Sequence, residues 1–118
     1  MSNFMLLLHE RPSDFADLAP SEVQRIITEY SSWREGLMSQ GRLTGGQKLK
    51  DEGGRVLALN GGEVRVVDGP FAEAKEVMGG FFIIEAADYD EAVEISRTCP
   101  HLKYGSRIEV REIDPIHE

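Results

Sequence analysis

The side chains best suited to chemistry in this sequence are a histidine and an aspartate at the ends of predicted strands. His9 follows the apolar run Phe4–Leu8, and Asp68 follows Val66-Val67. Functional side chains concentrate where strands end beside loops, and an imidazole pKa of about 6.5 suits a base near neutral pH. The pair predicts proton transfer, with His9 as the base and Asp68 orienting it or polarising a substrate. The alternatives are an exposed strand-end histidine and an aspartate that only shapes a turn.

Five further side chains could bind a ligand: Trp33, Phe71, Glu73, Lys75 and Arg111. The two aromatic rings could form a platform, and the glutamate and lysine could bind a polar ligand or pair across a dimer. The arginine, on the last predicted strand, could hold a carboxylate through two parallel hydrogen bonds. The structural alternatives are core packing for the rings, a solvated turn for the charged pair, and an ordinary ion pair for the arginine.

The sequence contains no pattern typical of a metal or cofactor site, so neither is expected. The spacing of His9, His101 and His117 matches no metal-binding motif, and we expect the last two at the surface. The paired glycines match no phosphate-binding loop. Cys99 is the single cysteine, which excludes an internal disulfide and a cysteine-based zinc site and indicates a reduced, partly buried thiol.

The overall charge limits the classes of partner. The 118 residues carry a formal net charge of −8. Nucleic acids and anionic membranes are bound mainly by lysine and arginine, so neither is expected as a partner. No apolar run approaches the roughly 20 residues of a membrane span, and the start Met-Ser-Asn-Phe lacks the basic segment of a secretory signal. We therefore expect a cytoplasmic protein.

Two segments have the pattern of amphipathic helices. Apolar residues recur at helical spacing and predict a helix over about residues 22–40. Ser21 can cap this helix, and Gln24 completes a capping-box pattern. Asp88 and Glu91 form a second capping-box pattern, which predicts the start of another helix.

Strands are predicted at Phe4–Leu8, 43–49, 55–59, 63–67, 79–86 and 106–113. The third and fourth flank Asn60-Gly61-Gly62, a hairpin signal because Asn-Gly readily takes positive φ. Without this hairpin the order of elements is βαββαβ, the ferredoxin-like pattern. We therefore predict one α+β domain over residues 1–118, ferredoxin-like, with an inserted β-hairpin.

The two central strands of a ferredoxin-like sheet, here Phe4–Leu8 and Phe81–Ile84, are apolar on both faces, because successive side chains point to opposite sides. Two helices cover only one face of such a sheet. An uncovered face this apolar would be an interaction surface, so we predict a homodimer that packs sheet against sheet. The alternative cover is the inserted hairpin, folded back over its own sheet.

One string of residues resembles a known family signature. Asp68-Gly-Pro-Phe-Ala-Glu-Ala-Lys-Glu76, followed by Gly79-Gly80-Phe81, closely resembles the signature of the DGPF-type proteins of the YCII-related family. The usual form of that signature has threonine where this chain has Ala74. The resemblance extends to Trp33 with Gly41-Arg42-Leu43, to the acidic helix start at 88–92, and to the terminal segment 108–111.

The resemblance implies a dimeric α+β barrel. The wider YCII-related group includes proteins thought to use a His–Asp pair in a cleft, and at least one member that dehalogenates an aromatic ring. The histidine of that group lies in the first helix, where this chain has Trp33. DGPF-type proteins are often encoded near, or fused to, sigma factors of the extracytoplasmic-function class, which implies a regulatory association.

Two functions are consistent with these observations. The first is a small-molecule-binding protein or a lyase- or isomerase-like enzyme that uses His9 and Asp68. Its pocket would lie between helix and sheet or near the dimer cleft. The alternative is a non-catalytic module that binds a protein partner in a sigma-factor pathway, with the Asp68 segment as a corner that holds the hairpin on the dimer. The expected partners are a second copy of the chain and a small-molecule ligand.

Overall fold

An antiparallel sheet with helices on one face forms the body of the protein. The structure, a computed structural model, describes residues 1–15, 17–69 and 76–117. The strands are β1 (Ser2–Glu10), β2 (Leu43–Lys48), β3 (Arg55–Asn60), β4 (Glu63–Asp68), β5 (Val77–Ala86) and β6 (Arg107–Glu112), and the helices are α1 (Pro20–Ser39), α2 (Tyr89–Ser96) and α3 (His101–Tyr104). The main sheet has the order β2-β5-β1-β6 with every neighbouring pair antiparallel, and β3 pairs with β4 in a separate sheet. The predicted α+β class is confirmed.

Alternate side chains of the two central strands point to opposite faces of the sheet, as predicted from their apolar runs. From Phe4 to Leu8 on β1 and from Phe81 to Ile84 on β5, even-numbered apolar side chains are buried beneath the helices, and odd-numbered ones are partly exposed. The buried set comprises Phe4, Leu6, Leu8, Phe82 and Ile84. The partly exposed set, which we call the open face, comprises Met5, Leu7, Phe81 and Ile83.

The hydrophobic core lies between the helix-covered face of the sheet and the helices. Phe4, Leu6 and Ile84 are fully buried, and burying a side chain of this size stabilises the fold by about 1.5–3 kcal/mol. α1 contributes Leu37 to this core and α2 contributes Ala92. The core therefore fixes the two longer helices on one side of the sheet and leaves the open face without helices.

The two longer helices begin in different ways. α1 begins at Pro20, with Ala19 as its N-cap and no side-chain capping hydrogen bond, so the predicted Ser21 cap is wrong. Proline favours the first helical position because its φ is fixed at about −65° and no N–H is needed there, and Pro20 thus sets the start. α2 begins as predicted, because the Asp88 side chain accepts a hydrogen bond of 2.9 Å from the backbone N–H of Glu91.

The strands β3 and β4 form a hairpin that stands apart from the main sheet, and we call it the arm. Gly61 and Gly62 connect the strands with φ values of 62° and 84°, and a type I′ turn needs positive φ at both central positions. Every residue of both strands is exposed. The arm therefore does not cover its own sheet, which removes that alternative.

Replacing Asp88 by alanine should lower the free energy of unfolding by about 1 kcal/mol, because the N–H of Glu91 loses its partner. Asp90→Ala is the matched control, since it removes a like charge from the same helical turn and leaves that hydrogen bond intact. Urea unfolding followed by circular dichroism measures both variants. Equal losses would contradict a capping role for Asp88 and attribute the effect to charge alone.

Candidate functional site

A cleft of about 480 Å³ lies between α1 and the edge of the sheet formed by β2 and β5. Its floor is open because two successive residues of β5, Gly79 and Gly80, carry no side chains. A methyl group on Gly79 would overlap the carboxyl group of Glu10, and one on Gly80 would lie 2.7 Å from the backbone oxygen of Gln47. Gly79 therefore makes room for the Glu10 carboxyl group, and Gly80 lets β2 approach β5.

The walls of the cleft are mainly apolar. Leu8 and Phe82 line it on the side of the sheet, and Val23, Ile26 and Ile27 line it on the side of α1. Residues three and four apart lie on the same side of a helix, so these α1 side chains form one stripe over the floor. Clefts that hold small ligands have volumes of about 300–1,000 Å³ and mostly apolar walls, and this cleft has both properties.

Glu10 places a buried carboxyl group in the cleft. It is the last residue of β1 and only 7% exposed. Its ion-pair partner among the described residues is Lys48, whose Nζ lies 3.9 Å from Oε1, too far for a hydrogen bond. Burial raises the pKa of Glu10 above its ordinary value, and the attraction of Lys48 offsets only part of that effect. The carboxyl therefore keeps its proton to a higher pH than an exposed glutamate does.

His101 and Tyr30 form a hydrogen-bonded pair on another wall of the cleft. The Nε2–H of His101 donates to the backbone carbonyl of His9 at 2.6 Å, and Nδ1 lies 2.8 Å from the Tyr30 hydroxyl. Burial lowers the pKa of His101 and raises that of Tyr30, so both are neutral at pH 7. With its only ring proton on Nε2, His101 accepts the Tyr30 O–H at Nδ1. The phenol oxygen keeps lone pairs for a ligand.

Charges of both signs surround the entrance of the cleft. The Nζ of Lys48 donates to Asp51 Oδ1 at 2.8 Å, and both side chains are exposed. Arg34 adds an exposed guanidinium on the α1 side. These groups are exposed to solvent, so we expect them to contribute less to ligand binding than the buried groups do.

A second cluster of titratable groups lies on the other side of the sheet, around the side chain of His9. The Nε2 atom lies 3.1 Å from Glu109 Oε1, and Nδ1 lies 4.0 Å from Glu76 Oε1. Glu76 accepts hydrogen bonds of 2.7 Å from the Ser106 hydroxyl and from Arg107 Nε, which lower its pKa. His9 and Glu10 are successive residues of β1, so their side chains point to opposite faces.

The structure separates Asp68 from His9. Asp68 ends the arm, its carboxylate is 93% exposed, and its ion-pair partner is Arg55 at 3.4 Å. Among the described residues, the two predicted catalytic side chains share no hydrogen bond or ion pair, and His9 is held by Glu76 and Glu109 instead. Their catalytic roles stay predictions. An aspartate this exposed is also unlike the alternative in which the Asp68 segment forms a corner that holds the hairpin on the dimer.

The predicted ligand-binding residues fall in different places. Trp33 packs on Phe82 with ring centroids 5.1 Å apart, and its indole N–H donates to the Thr98 hydroxyl at 2.9 Å, which resembles the core-packing alternative. Arg111 is an exposed residue of β6 opposite Met5, at the margin of the open face. Phe71, Glu73 and Lys75 lie outside the described residues.

Sequence reasoning gave a pocket between helix and sheet as one of two locations, but it missed the two buried polar residues of this cleft, Glu10 and His101. His101 was expected at the surface, but it is 3% exposed, because a one-turn helix after Pro100 turns its ring under Tyr30. Gly105 leaves room for that ring, since a methyl group there would overlap it. Glu10 lies two residues beyond the predicted strand Phe4–Leu8, whereas the strand in the structure continues to Glu10. The signal that identifies it is its even-numbered position in the alternation of β1, two residues after Leu8.

Burial likewise affects the single thiol. Cys99 is 3% exposed, and burial raises its pKa to about 11, so it is protonated at neutral pH. None of the helices within the described ranges is long and apolar enough to cross a membrane.

Comparison with known proteins agrees with the resemblance seen in the sequence. The family model of the YCII-related domain matches residues 2–117. The uncharacterised protein R00369 of Rhizobium meliloti strain 1021 is 30% identical over 95 residues, which span 80% of this chain and 77% of that protein. Among solved structures, the chain is similar to the 5-chloro-2-hydroxyhydroquinone dehydrochlorinase of Burkholderia phenoliruptrix AC1100, solved with 2,5-dihydroxybenzoquinone. The TM-score is 0.54 at 18% identity, over 95% of this chain and 93% of the other, so the likeness is one of fold.

The raised pKa of Glu10 predicts a stability difference between wild type and Glu10→Gln that grows with pH. The unfolded glutamate loses its proton near the ordinary value of 4.5, whereas the folded one keeps it to higher pH. Between these two pKa values the unfolded state binds fewer protons, so the free energy of unfolding of the wild type falls as pH rises. The glutamine variant does not titrate, so its free energy of unfolding should increase relative to that of the wild type as the pH rises above 4.5.

Urea unfolding of both proteins at a series of pH values measures this difference. Glu52→Gln, at an exposed turn residue, is the matched control for loss of one carboxyl group. A difference between wild type and Glu10→Gln that is constant across the series would contradict the raised pKa.

Proposed function

Since the chain belongs to the YCII-related family, we propose that it binds a small molecule in the cleft between α1 and the sheet and exchanges a proton with it. The observation that carries this proposal is the Glu10 carboxyl group, buried in an apolar cleft with its pKa raised. Carboxyl groups in such surroundings are suited to general acid–base catalysis near neutral pH. The proposed reaction class is lyase- or isomerase-like proton transfer.

The ligand that fits best is a compact, mainly apolar ring with hydroxyl or carbonyl oxygens. Leu8, Phe82 and the α1 stripe provide apolar contacts on both sides of the cleft. The Tyr30 hydroxyl and the Glu10 carboxyl provide the few polar contacts that orient a ligand in such a pocket. The dehydrochlorinase with a similar fold was solved with a dihydroxybenzoquinone, a ring of this kind, which supports the proposal.

Glu10, Lys48 and the apolar side chains of α1 would have different roles in proton transfer. In its neutral form Glu10 would donate a proton to a ring oxygen, and in its ionised form it would accept one from an adjacent ring position. Lys48, 3.9 Å from Oε1, would stabilise the carboxylate whenever the proton is on the ligand. The apolar side chains of α1 would exclude water, which strengthens these electrostatic interactions.

His9 and Asp68 belong to a second proposed location, near a dimer cleft. We propose that the main sheet is ferredoxin-like, which its strand order supports, and that two chains pair through their open faces as a dimeric α+β barrel. The cluster of His9 with Glu76 and Glu109 would then lie beside the interface between the chains. The proposed cellular location is the cytoplasm, because the buried, protonated thiol of Cys99 needs no oxidising compartment.

The alternative function is a non-catalytic module that binds a protein partner in a sigma-factor pathway. The exposed apolar side chains of the arm favour it, because exposed apolar patches mark interaction surfaces. This alternative predicts that no compound is turned over and that the cleft residues affect stability alone.

Two substitutions at adjacent residues separate the proposed locations. Glu10→Gln keeps the size of the side chain and removes its titration, so turnover of hydroxylated quinones should fall at least about 100-fold. His9→Ala, on the opposite face, should leave turnover close to that of wild type. Absorbance assays measure turnover, and calorimetry with 2,5-dihydroxybenzoquinone measures binding, which Glu10→Gln should largely retain.

The other outcomes point elsewhere. Loss of turnover in His9→Ala with normal turnover in Glu10→Gln would move the site to the open face. In a further outcome, the wild type neither binds nor turns over these compounds, and its melting temperature does not change when they are added. That result would overturn the small-molecule function and favour the protein-binding alternative.

A further inference from the structure

We propose that the arm is a clasp, whose apolar face closes over the margin of the open face of a second copy of this chain, beside the contact between the two sheets. This inference rests on the proposed homodimer and adds the surface that holds it together. It does not depend on the cleft or on the reaction proposed there.

The arm is amphipathic across its two strands. Leu57 pairs with Val66 and Leu59 pairs with Val64, and directly opposite residues of an antiparallel pair point to the same face. These four side chains therefore form one apolar face. The other face carries Val56 opposite Val67 at the base, Ala58 opposite Arg65 and, at the tip, Asn60 opposite Glu63, so the two faces differ most in the outer part of the arm.

The apolar face of the arm has no cover within the described part of its own chain. Its four side chains are 55–76% exposed. The radius of gyration is 16.3 Å, against about 13.5 Å for a compact domain of this length, as expected if the arm projects outward. An isolated two-stranded hairpin is only marginally stable in water. The arm therefore gains its stability from another molecule.

A second copy supplies the surface that fits the arm. The open face, with Met5, Leu7, Phe81 and Ile83, is a second unpartnered apolar surface on the same chain. A stable dimer buries about 800 Å² on each partner, more than the four side chains of the arm can provide alone. In a two-fold dimer the two open faces pack against each other and each arm reaches the margin of the other chain's open face, so one closed interface includes both surfaces twice.

The net charge of −8 on each chain opposes this association. Salt screens repulsion between like-charged chains. A dimer held by apolar contacts should therefore tighten as the salt concentration rises, whereas one held by ion pairs would loosen.

The decisive variants are neighbours on one strand. Leu59→Lys puts a charge on the apolar face of the arm and should raise the dimer dissociation constant at least about tenfold. Ala58→Lys adds the same charge on the opposite face and should change that constant by less than about threefold. Sedimentation equilibrium measures both, Leu57→Lys repeats the test, and circular dichroism confirms that each variant is folded.

Photo-crosslinking identifies what the arm contacts. A benzophenone amino acid at position 59, in a mixture of isotopically labelled and unlabelled chains, should crosslink between chains to peptides of β1 or β5. Crosslinks only to the partner's arm would overturn the proposal. A wild-type dimer that Leu59→Lys leaves intact would overturn the clasp but not the dimer, and a monomeric wild type at micromolar concentration would overturn both.

Discussion

The interaction on which the cleft depends is the chain of hydrogen bonds from the backbone carbonyl of His9 through His101 to Tyr30. The carbonyl accepts from the Nε2–H of His101 and from the backbone N–H of Ser106, which joins the end of β1 to α3 and to the start of β6. The imidazole then accepts from Tyr30 and so fixes the middle of α1 above the sheet. Because both ring nitrogens of His101 have a hydrogen-bond partner, these contacts offset the cost of burying the histidine.

These hydrogen bonds explain why an open space persists beside a packed core. The Tyr30 contact fixes one side of α1, and the glycines at 79 and 80 leave the other side without floor side chains. A cavity filled by apolar side chains would be more stable, and a carboxyl group buried there raises the cost further. A sequence that retains glycines and a buried glutamate at these positions gives up stability, as functional sites commonly do. The cleft is therefore better explained by ligand binding than by packing.

The sequence predicted the parts of the fold that depend on local patterns. The positions of the strands, the Asp88 cap and the two-faced apolar strands all follow from residue periodicity, and each is present. The Ser21 cap failed because a proline one residue earlier competes for the helix start. The lining of the cleft could not be predicted in this way, because it depends on contacts between residues distant in sequence, such as Tyr30 with His101. The alternation of β1 does assign His9 to the open face and Glu10 to the helix face, so part of the site was readable.

The most direct test of this account is a crystal structure of the chain with 2,5-dihydroxybenzoquinone. The account predicts the ring between α1 and the sheet, with one of its oxygens within about 3.2 Å of the Glu10 carboxyl group. A ring bound instead beside His9 on the open face, with the cleft left to solvent, would contradict it.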